Sequence, residues 1–259
     1  MRIYQVDAFA KTAFQGNPAA VVPLQEWPTD DLLQKIAQEN NLSETAYFID
    51  KGDHYHLRWF TPAKEVRLCG HATLASAHVL YKHLGYTQDK IRFEVLAGTL
   101  LVEKHGDQYS MDFPADQAAR SAPIPLIEEA LGIEVLDTAK GTDDYLVRIK
   151  EENSLQELQP NFRLLAQLEA RGLIVTTQGT DTDVASRCFY PAYGIDEDPV
   201  TGSAHTLLIP YWSKILDKQE MSFVQGGTRK GFLKGTDNGD RVLLSSSAMT
   251  YLVGDIFVD

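Results

Sequence analysis

Glu197-Asp198-Pro199-Val200-Thr201-Gly202-Ser203-Ala204-His205 is a short polar run that meets glycine and then opens an apolar, helix-like stretch. Leu68-Cys69-Gly70-His71-Ala72-Thr73 is its weaker echo, with Gly70 lying 132 positions before Gly202. The first N–H groups of a helix have no intrahelical partner and carry partial positive charge, so a helix start attracts an anion. Glycine at that point leaves no Cβ between the backbone and a ligand. Two such starts in one chain of 259 residues predict two facing halves that share one anionic ligand.

Working outward, the stretch after Gly70 carries Ala72, Leu74, Ala75, Ala77, Val79 and Leu80 with few charges until Lys82. Apolar nearly all round, it predicts a buried helix wrapped by strands, closing at Leu84-Gly85. The stretch after Gly202 carries Leu207, Leu208, Ile209, Tyr211, Trp212, Ile215 and Leu216. Pro210 inside it should bend that helix or end its first part. The echo extends further. Thr29 is a helix N-cap followed by Leu32, Leu33, Ile36 and Ala37 at helical spacing, and Asn161–Leu168 answers Thr29–Ile36 at the same offset of 132. Phe189-Tyr190-Pro191-Ala192 answers Phe60-Thr61-Pro62-Ala63 with a slip of three. Glycines, helices and Phe-x-Pro-Ala turns matching together indicate a duplication, and two repeats suit two similar domains better than a solenoid.

Alternation and turn residues predict strands at Arg2–Phe9, Ala19–Val22, Glu44–Ile49, His54–Phe60, Ile91–Leu96, Gly98–Lys104 and Gln108–Phe113 in the first half. In the second half they predict strands at Tyr145–Ile149, Met221–Gln225 and Arg241–Leu244, with Met249–Val258 as the last. Phe14-Gln15-Gly16-Asn17-Pro18 and Gly226–Gly231 read as turns. The expected domains are 1–116, joined by the last strand at 247–259, and 117–246, each close to the common domain size of about 130 residues.

Net charge of -12 and a pI near 5.0 argue against nucleic acid and anionic membranes as partners. No run of about 18 apolar residues predicts a membrane-spanning helix. The opening Met1-Arg2-Ile3-Tyr4-Gln5-Val6 reads as a strand and not as a signal peptide. Two cysteines, Cys69 and Cys188, build no disulfide framework. These observations predict a cytoplasmic protein whose partner is a small molecule.

Glu44, in Asn40-Asn41-Leu42-Ser43-Glu44-Thr45-Ala46, stands where a helix ends and a strand begins, a place functional carboxylates share with solvated surface ones. Asp198 is held extended by Pro199 and can cap the next turn or point into a cleft. His71, directly after Gly70, has the titration range for proton transfer. Cys69 at a helix start is either a thiol of lowered pKa or a small buried residue. Thr201 and Ser203 add hydroxyl donors to the backbone donors at Gly70 and Gly202. A hydrolase triad of Asp198, Ser203 and His205 is disfavoured, because G-x-S-x-G is absent and Ser203 and His205 do not share a helix face. No dinucleotide or P-loop motif is present. Metal-ligand spacing is absent as well, since His54 and His56 form a strand pair without a third ligand.

Gly16-Asn17-Pro18-Ala19-Ala20-Val21-Val22, Leu42-Ser43-Glu44-Thr45-Ala46, Leu68–Thr73 and Glu197–His205, four motifs in order, resemble the phenazine-biosynthesis PhzF-like family. The resemblance runs nearly end to end and includes Gln225-Gly226. It implies an α+β, diaminopimelate-epimerase-like fold of two similar halves related by a pseudo-twofold axis, each a strand barrel around a central helix. It implies an isomerase that needs no cofactor and no metal and moves a proton between carbons of a small carboxylated, anionic metabolite. Glu44 is then the acid/base residue, with His71 and Asp198 completing the proton-handling set. Asn17, Ser43, Gly70, Thr201, Gly202 and Ser203 are the implied substrate-binding residues, and a homodimer is the implied assembly. The wider fold family inverts amino-acid α-carbons with two cysteines. Cys69 matches the first, but Pro199, Val200 and Thr201 offer no second thiol. An epimerase or racemase using Glu44 and Cys69, and a non-catalytic small-acid-binding protein, are the alternative expectations.

Overall fold

The computed structural model describes residues 1–258 and divides into two units. One comprises Met1–Asp112 together with the C-terminal stretch from Ser245, the other Phe113–Leu244. Helices and a mixture of parallel and antiparallel strand pairs make each unit α+β.

The first unit begins with β1 (Arg2–Ala8) and β2 (Asn17–Leu24), which pair antiparallel. Helix α1 (Asp30–Asn40) crosses over to β3 (Glu44–Asp50), which lies parallel to β2. A parallel pair needs such a crossover, because a tight turn can join only antiparallel strands. Thr29 starts α1 by accepting the Leu32 N–H, and the Tyr47 hydroxyl donates to the Leu33 carbonyl at 2.7 Å, fixing α1 to β3. β4 (Tyr55–Phe60) runs antiparallel to β3, and the short β5 (Glu65–Val66) pairs with its end. Helix α2 (Gly70–His83) then crosses to β6 (Lys90–Val95), parallel to β4, followed by β7 (Gly98–His105) and β8 (Gln108–Pro114). Every residue of α2 from His71 to Leu80 is buried. Beyond His71 its polar members are satisfied locally, Thr73 donating to the Cys69 carbonyl, Ser76 to the Ala72 carbonyl, and His78 bonding the Tyr109 and Thr250 hydroxyls. Helix α2 closes where Leu84 donates to the Val79 carbonyl and Tyr86 to that of Leu80, with Gly85 left-handed between them.

The second unit opens with β9 (Ala119–Arg120), α3 (Pro125–Leu131), β10 (Asp137–Lys140) and β11 (Asp144–Arg148). Two short helices, α4 (Glu152–Glu157) and α5 (Phe162–Leu165), cross to β12 (Gly172–Gln178), parallel to β11. β13 (Val184–Tyr190) returns antiparallel, and β14 (Ile195–Asp198) pairs with its end. Helix α6 (Gly202–Leu216) crosses to β15 (Glu220–Gln225), parallel to β13. β16 (Gly231–Asp237) pairs antiparallel with β15, and β17 (Arg241–Ser246) leads out of the unit. The last strand, β18 (Ala248–Asp255), belongs to the first unit and pairs antiparallel with β1. From β10 to β16 the order of antiparallel and parallel pairings repeats that from β1 to β7, and each buried helix occupies the same crossover. The duplication is therefore visible in the hydrogen bonding.

Three local expectations need correction, and at Pro210 one of two alternatives is excluded. Asn17 and Pro18 belong to β2 and not to the preceding turn: they pair with Ala8 and Asp7, and the turn ends at Gly16, where a Cβ would sit 1.9 Å from the Ala8 carbonyl. The helix expected at Asn161–Leu168 is a single turn, capped by Asn161. Its continuation tightens into three-residue bonds, Gln167 to Leu164 and Leu168 to Leu165. Helix α6 does not end at Pro210. The proline ring leaves the Thr206 carbonyl without its usual donor, and the Asp116 N–H supplies one at 3.0 Å. The final strand stops at Asp255, short of Val258. Among the described residues no helix is long and apolar enough to cross a membrane.

Candidate active site

In the first unit, Cys69 precedes α2 in an extended conformation (φ -148°, ψ 107°), and its side chain makes no capping bond. The following residue, Gly70, leaves the first turn without a Cβ. Glu44 is the first residue of β3, beside Ala19 of β2, so its position is fixed by two strands. Its Oε2 lies 3.1 Å from Nε2 of His71, the second residue of α2. The two atoms approach without hydrogen-bond alignment, and both are buried with no other hydrogen-bond partner. On the other edge of the ring, His71 Nδ1 contacts Cys69 Sγ at 3.5 Å. Ser43 donates to the side chain of the fully buried Asn17 at 3.3 Å, which ties β2 to the residue before Glu44.

Burial alone would lower the pKa of His71, but the adjoining Cys69 sulfur and Glu44 carboxylate outweigh it and hold the ring well above its ordinary value. Burial, reinforced by Glu44, pushes the Cys69 thiol up to about 11. Of the two roles open to Cys69, the small buried thiol is therefore the one the surroundings favour at neutral pH.

In the second unit, Thr201 precedes α6 in a closely similar conformation (φ -112°, ψ 103°), again with no capping bond. Its hydroxyl donates to Asp198 Oδ2 at 2.6 Å, and its N–H donates to Gln225 Oε1 at 3.0 Å. Gln225 Nε2 donates in turn to the Asp198 carbonyl at 3.0 Å, so one fully buried amide clamps the whole 198–201 turn. Ser203 Oγ accepts from Arg171 Nη2 at 3.1 Å. Arg171 forks onto the carboxylate of Asp144, with Nε donating at 2.9 Å, and lies over the Tyr190 ring at 5.3 Å. Glu197 is taken up structurally by the buried Arg187 and by the Gly227 N–H. Cys188 is fully buried, opposite Asp198 in the strand pair, and burial raises its thiol well above the ordinary range. Arg171, Asp144 and Gln225 had not been singled out as site residues. An arginine before a hydrophobic strand carries no local signal, and Gln225 before Gly226 reads only as the end of a strand.

A family described as phenazine biosynthesis-like protein matches residues 6–252. An uncharacterised isomerase of Pseudomonas aeruginosa is 48% identical over 99% of this chain and 98% of its own. The chain belongs to the phenazine-biosynthesis-like family. A crystal structure of a PhzF-family protein from Enterococcus faecalis superposes with a TM-score of 0.97 at 41% identity, covering 99% of both chains. A hydroxyproline epimerase from Agrobacterium vitis, 12% identical, superposes with a TM-score of 0.59 over 98% of this chain and 91% of that one, which shows the shared α+β, epimerase-like fold. By kinship with relatives named as isomerases, this phenazine-biosynthesis-like protein is an isomerase.

Proposed function

We propose that the protein is a cytoplasmic, cofactor-free isomerase that moves a proton between carbons of a small carboxylated metabolite, with Glu44 as the group that carries it. The observation that carries this reading is the buried Glu44 Oε2, 3.1 Å from His71 Nε2, with neither atom held in a hydrogen bond. A buried carboxylate oxygen left without a donor is costly in a merely structural role, and it is what a proton acceptor needs. His71, held as a cation by its neighbours, stabilises negative charge that develops on the substrate. The uncapped start of α2 at Gly70 adds backbone donors for a carboxylate. Asn17, Ser43, Gly70, Thr201, Gly202 and Ser203 are the proposed substrate-binding residues, with Asp198 handling protons. The exposed apolar side chains of Met249, Tyr251, Leu252 and Val253 on β18 support assembly as a homodimer, which light scattering would read as twice the chain mass.

The test is a panel of small carboxylic acids incubated in deuterated water, read by mass gain. Uptake of solvent deuterium by one acid and its loss in Glu44→Gln, with calorimetric binding retained, is the expected result. Binding of an acid without deuterium uptake by the parent protein would favour the non-catalytic binder.

A further inference from the structure

We infer that Glu44, His71 and Cys69 form a binding site for a borderline transition-metal cation of the Zn²⁺ class. One carboxylate oxygen, one imidazole nitrogen and the Cys69 sulfur all lie within 4.8 Å of one another. In a tetrahedral Zn²⁺ site, ligand distances of about 2.0–2.3 Å place neighbouring donors roughly 3–4 Å apart. Glu44 Oε2 lies 3.1 Å from His71 Nε2 and Cys69 Sγ lies 3.5 Å from His71 Nδ1, so each neighbour stands at that spacing from one of the two ring nitrogens. A metal uses only one imidazole nitrogen, so the sulfur or the carboxylate, now within 4.8 Å, must close in by about 1 Å to reach tetrahedral spacing from that nitrogen.

A second observation points to a ligand here independently of the spacing. His71 is only 6% exposed, and its Nε2 faces an equally buried Glu44 Oε2 without hydrogen-bond alignment. Both atoms have a free lone pair to offer once the imidazole is neutral. The mixed S, N and O set selects among cations: thiolate and imidazole suit Zn²⁺ and Co²⁺, whereas Mg²⁺ and Ca²⁺ take oxygen ligands. Binding forms the metal–sulfur bond as the Cys69 S–H bond breaks, the imidazole sheds any proton it holds, and those protons leave to water. Three protein ligands leave a fourth position for water. The donors come from β3 and from the start of α2, which explains why no sequence spacing announces them. A carboxylate and an imidazole engaged by a metal cannot carry a substrate proton, so an occupied site is a silenced one. Cation binding does not depend on which reaction the protein catalyses, whereas the silencing rests on the proposed role of Glu44.

Co²⁺ tests it, because cobalt in a thiolate-containing tetrahedral site absorbs in the near ultraviolet through sulfur-to-metal charge transfer. Titrating the metal-free protein should raise that band to one equivalent, and Zn²⁺ should abolish it. Cys69→Ser should lose the band, Cys188→Ser should keep it, and Glu44→Gln should weaken Co²⁺ binding at least tenfold. Mg²⁺ should leave the band unchanged. Absence of the band from the folded parent protein overturns the assignment, as does a band that survives Cys69→Ser or disappears in Cys188→Ser. Circular dichroism melts on each variant identify any that fail to fold, and the Glu44→Gln titration then carries the test alone.

Discussion

The start of α2 and the start of α6 share a backbone and differ in chemistry. Cys69 and Thr201, 132 positions apart, hold nearly the same extended conformation, and neither caps its helix. At α2 a carboxylate oxygen, Glu44 Oε2, and an imidazole nitrogen, His71 Nε2, are left without hydrogen bonds. At α6 Asp198 accepts from Thr201, Ser203 from Arg171, and Gln225 closes the turn. The strand pairings place Glu44 of β3 in the role that Gly172 plays in β12, where a Cβ would strike the Tyr190 ring at 2.2 Å. No second carboxylate can occupy that position without moving the tyrosine. The two helix starts match in backbone, and they differ in that Glu44 Oε2 and His71 Nε2 lack hydrogen bonds at the first whereas Asp198, Thr201 and Ser203 are hydrogen-bonded at the second.

The largest effect that tests this contrast is on turnover. Positioned acid–base catalysis contributes about 10²–10⁴-fold, so Glu44→Gln should lower deuterium transfer by that factor. Asp198→Asn, whose oxygen already accepts a hydroxyl proton, should cost distinctly less. Equal losses from the two variants, measured as mass gain against time, would erase the distinction between a reactive and a supporting carboxylate.

Next in size is a loss of stability confined to the second start. Asp144 is 3% exposed and relies on the Arg171 fork. Removing one partner of a buried pair leaves an uncompensated charge, at a cost of about 3–5 kcal/mol. Arg171→Met should therefore destabilise the protein by that amount in urea unfolding, and adding Asp144→Leu should recover most of it. A marginal loss in the single variant would mean that water reaches Asp144.

The buried histidines separate the two starts by sign. His71 is raised by its neighbours, so it contributes stability that is complete below the unfolded histidine pKa and is lost as pH rises through its folded value. His205 of α6, bonded through Nδ1 to the Thr201 carbonyl and packed edge-on against Phe223, is lowered to about 4 by burial. It folds neutral, so stability falls as pH drops from the ordinary value of about 6.5 towards 4, by roughly 3 kcal/mol. Nuclear magnetic resonance should show the His71 ring still charged at neutral pH and the His205 ring neutral at pH 5. His205→Gln should flatten the acid limb of the stability curve.

The helix starts were legible because glycine, small residues and a long apolar stretch coincide at one offset. The core strands β12 and β13 were not. They are buried on nearly every residue, so Leu173 to Thr177 and Val184 to Tyr190 show no alternation to read. The Asn161 helix misled because Leu164, Leu165 and Leu168 at helical spacing do not state how many turns the packing allows. In the site, Glu44 and His71 stood in quoted motifs, but their 3.1 Å contact joins residues 27 positions apart in the chain. Arg171 and Asp144 act through a fork that joins the residue before β12 to the start of β11, which one-dimensional spacing cannot encode.

The smallest expected effect concerns Cys69, and it bears on what the first start is for. A thiol acts as a base or nucleophile only as thiolate. With its pKa pushed up to about 11, roughly one Cys69 in 10⁴ is ionised at neutral pH. Its sulfur touches His71, but Glu44 is the group closer to a free proton-accepting geometry. Cys69→Ala removes one buried atom, at a cost of about 1 kcal/mol. Turnover should stay within about tenfold of the parent, while the near-ultraviolet cobalt band disappears. Steady-state deuterium incorporation on the variant, beside the same assay on Glu44→Gln, makes the measurement. A loss of several orders of magnitude in Cys69→Ala would move the proton onto sulfur. The reactive start would then work as half of a thiol epimerase, and its difference from the Thr201 start would be one of nucleophile and not of carboxylate.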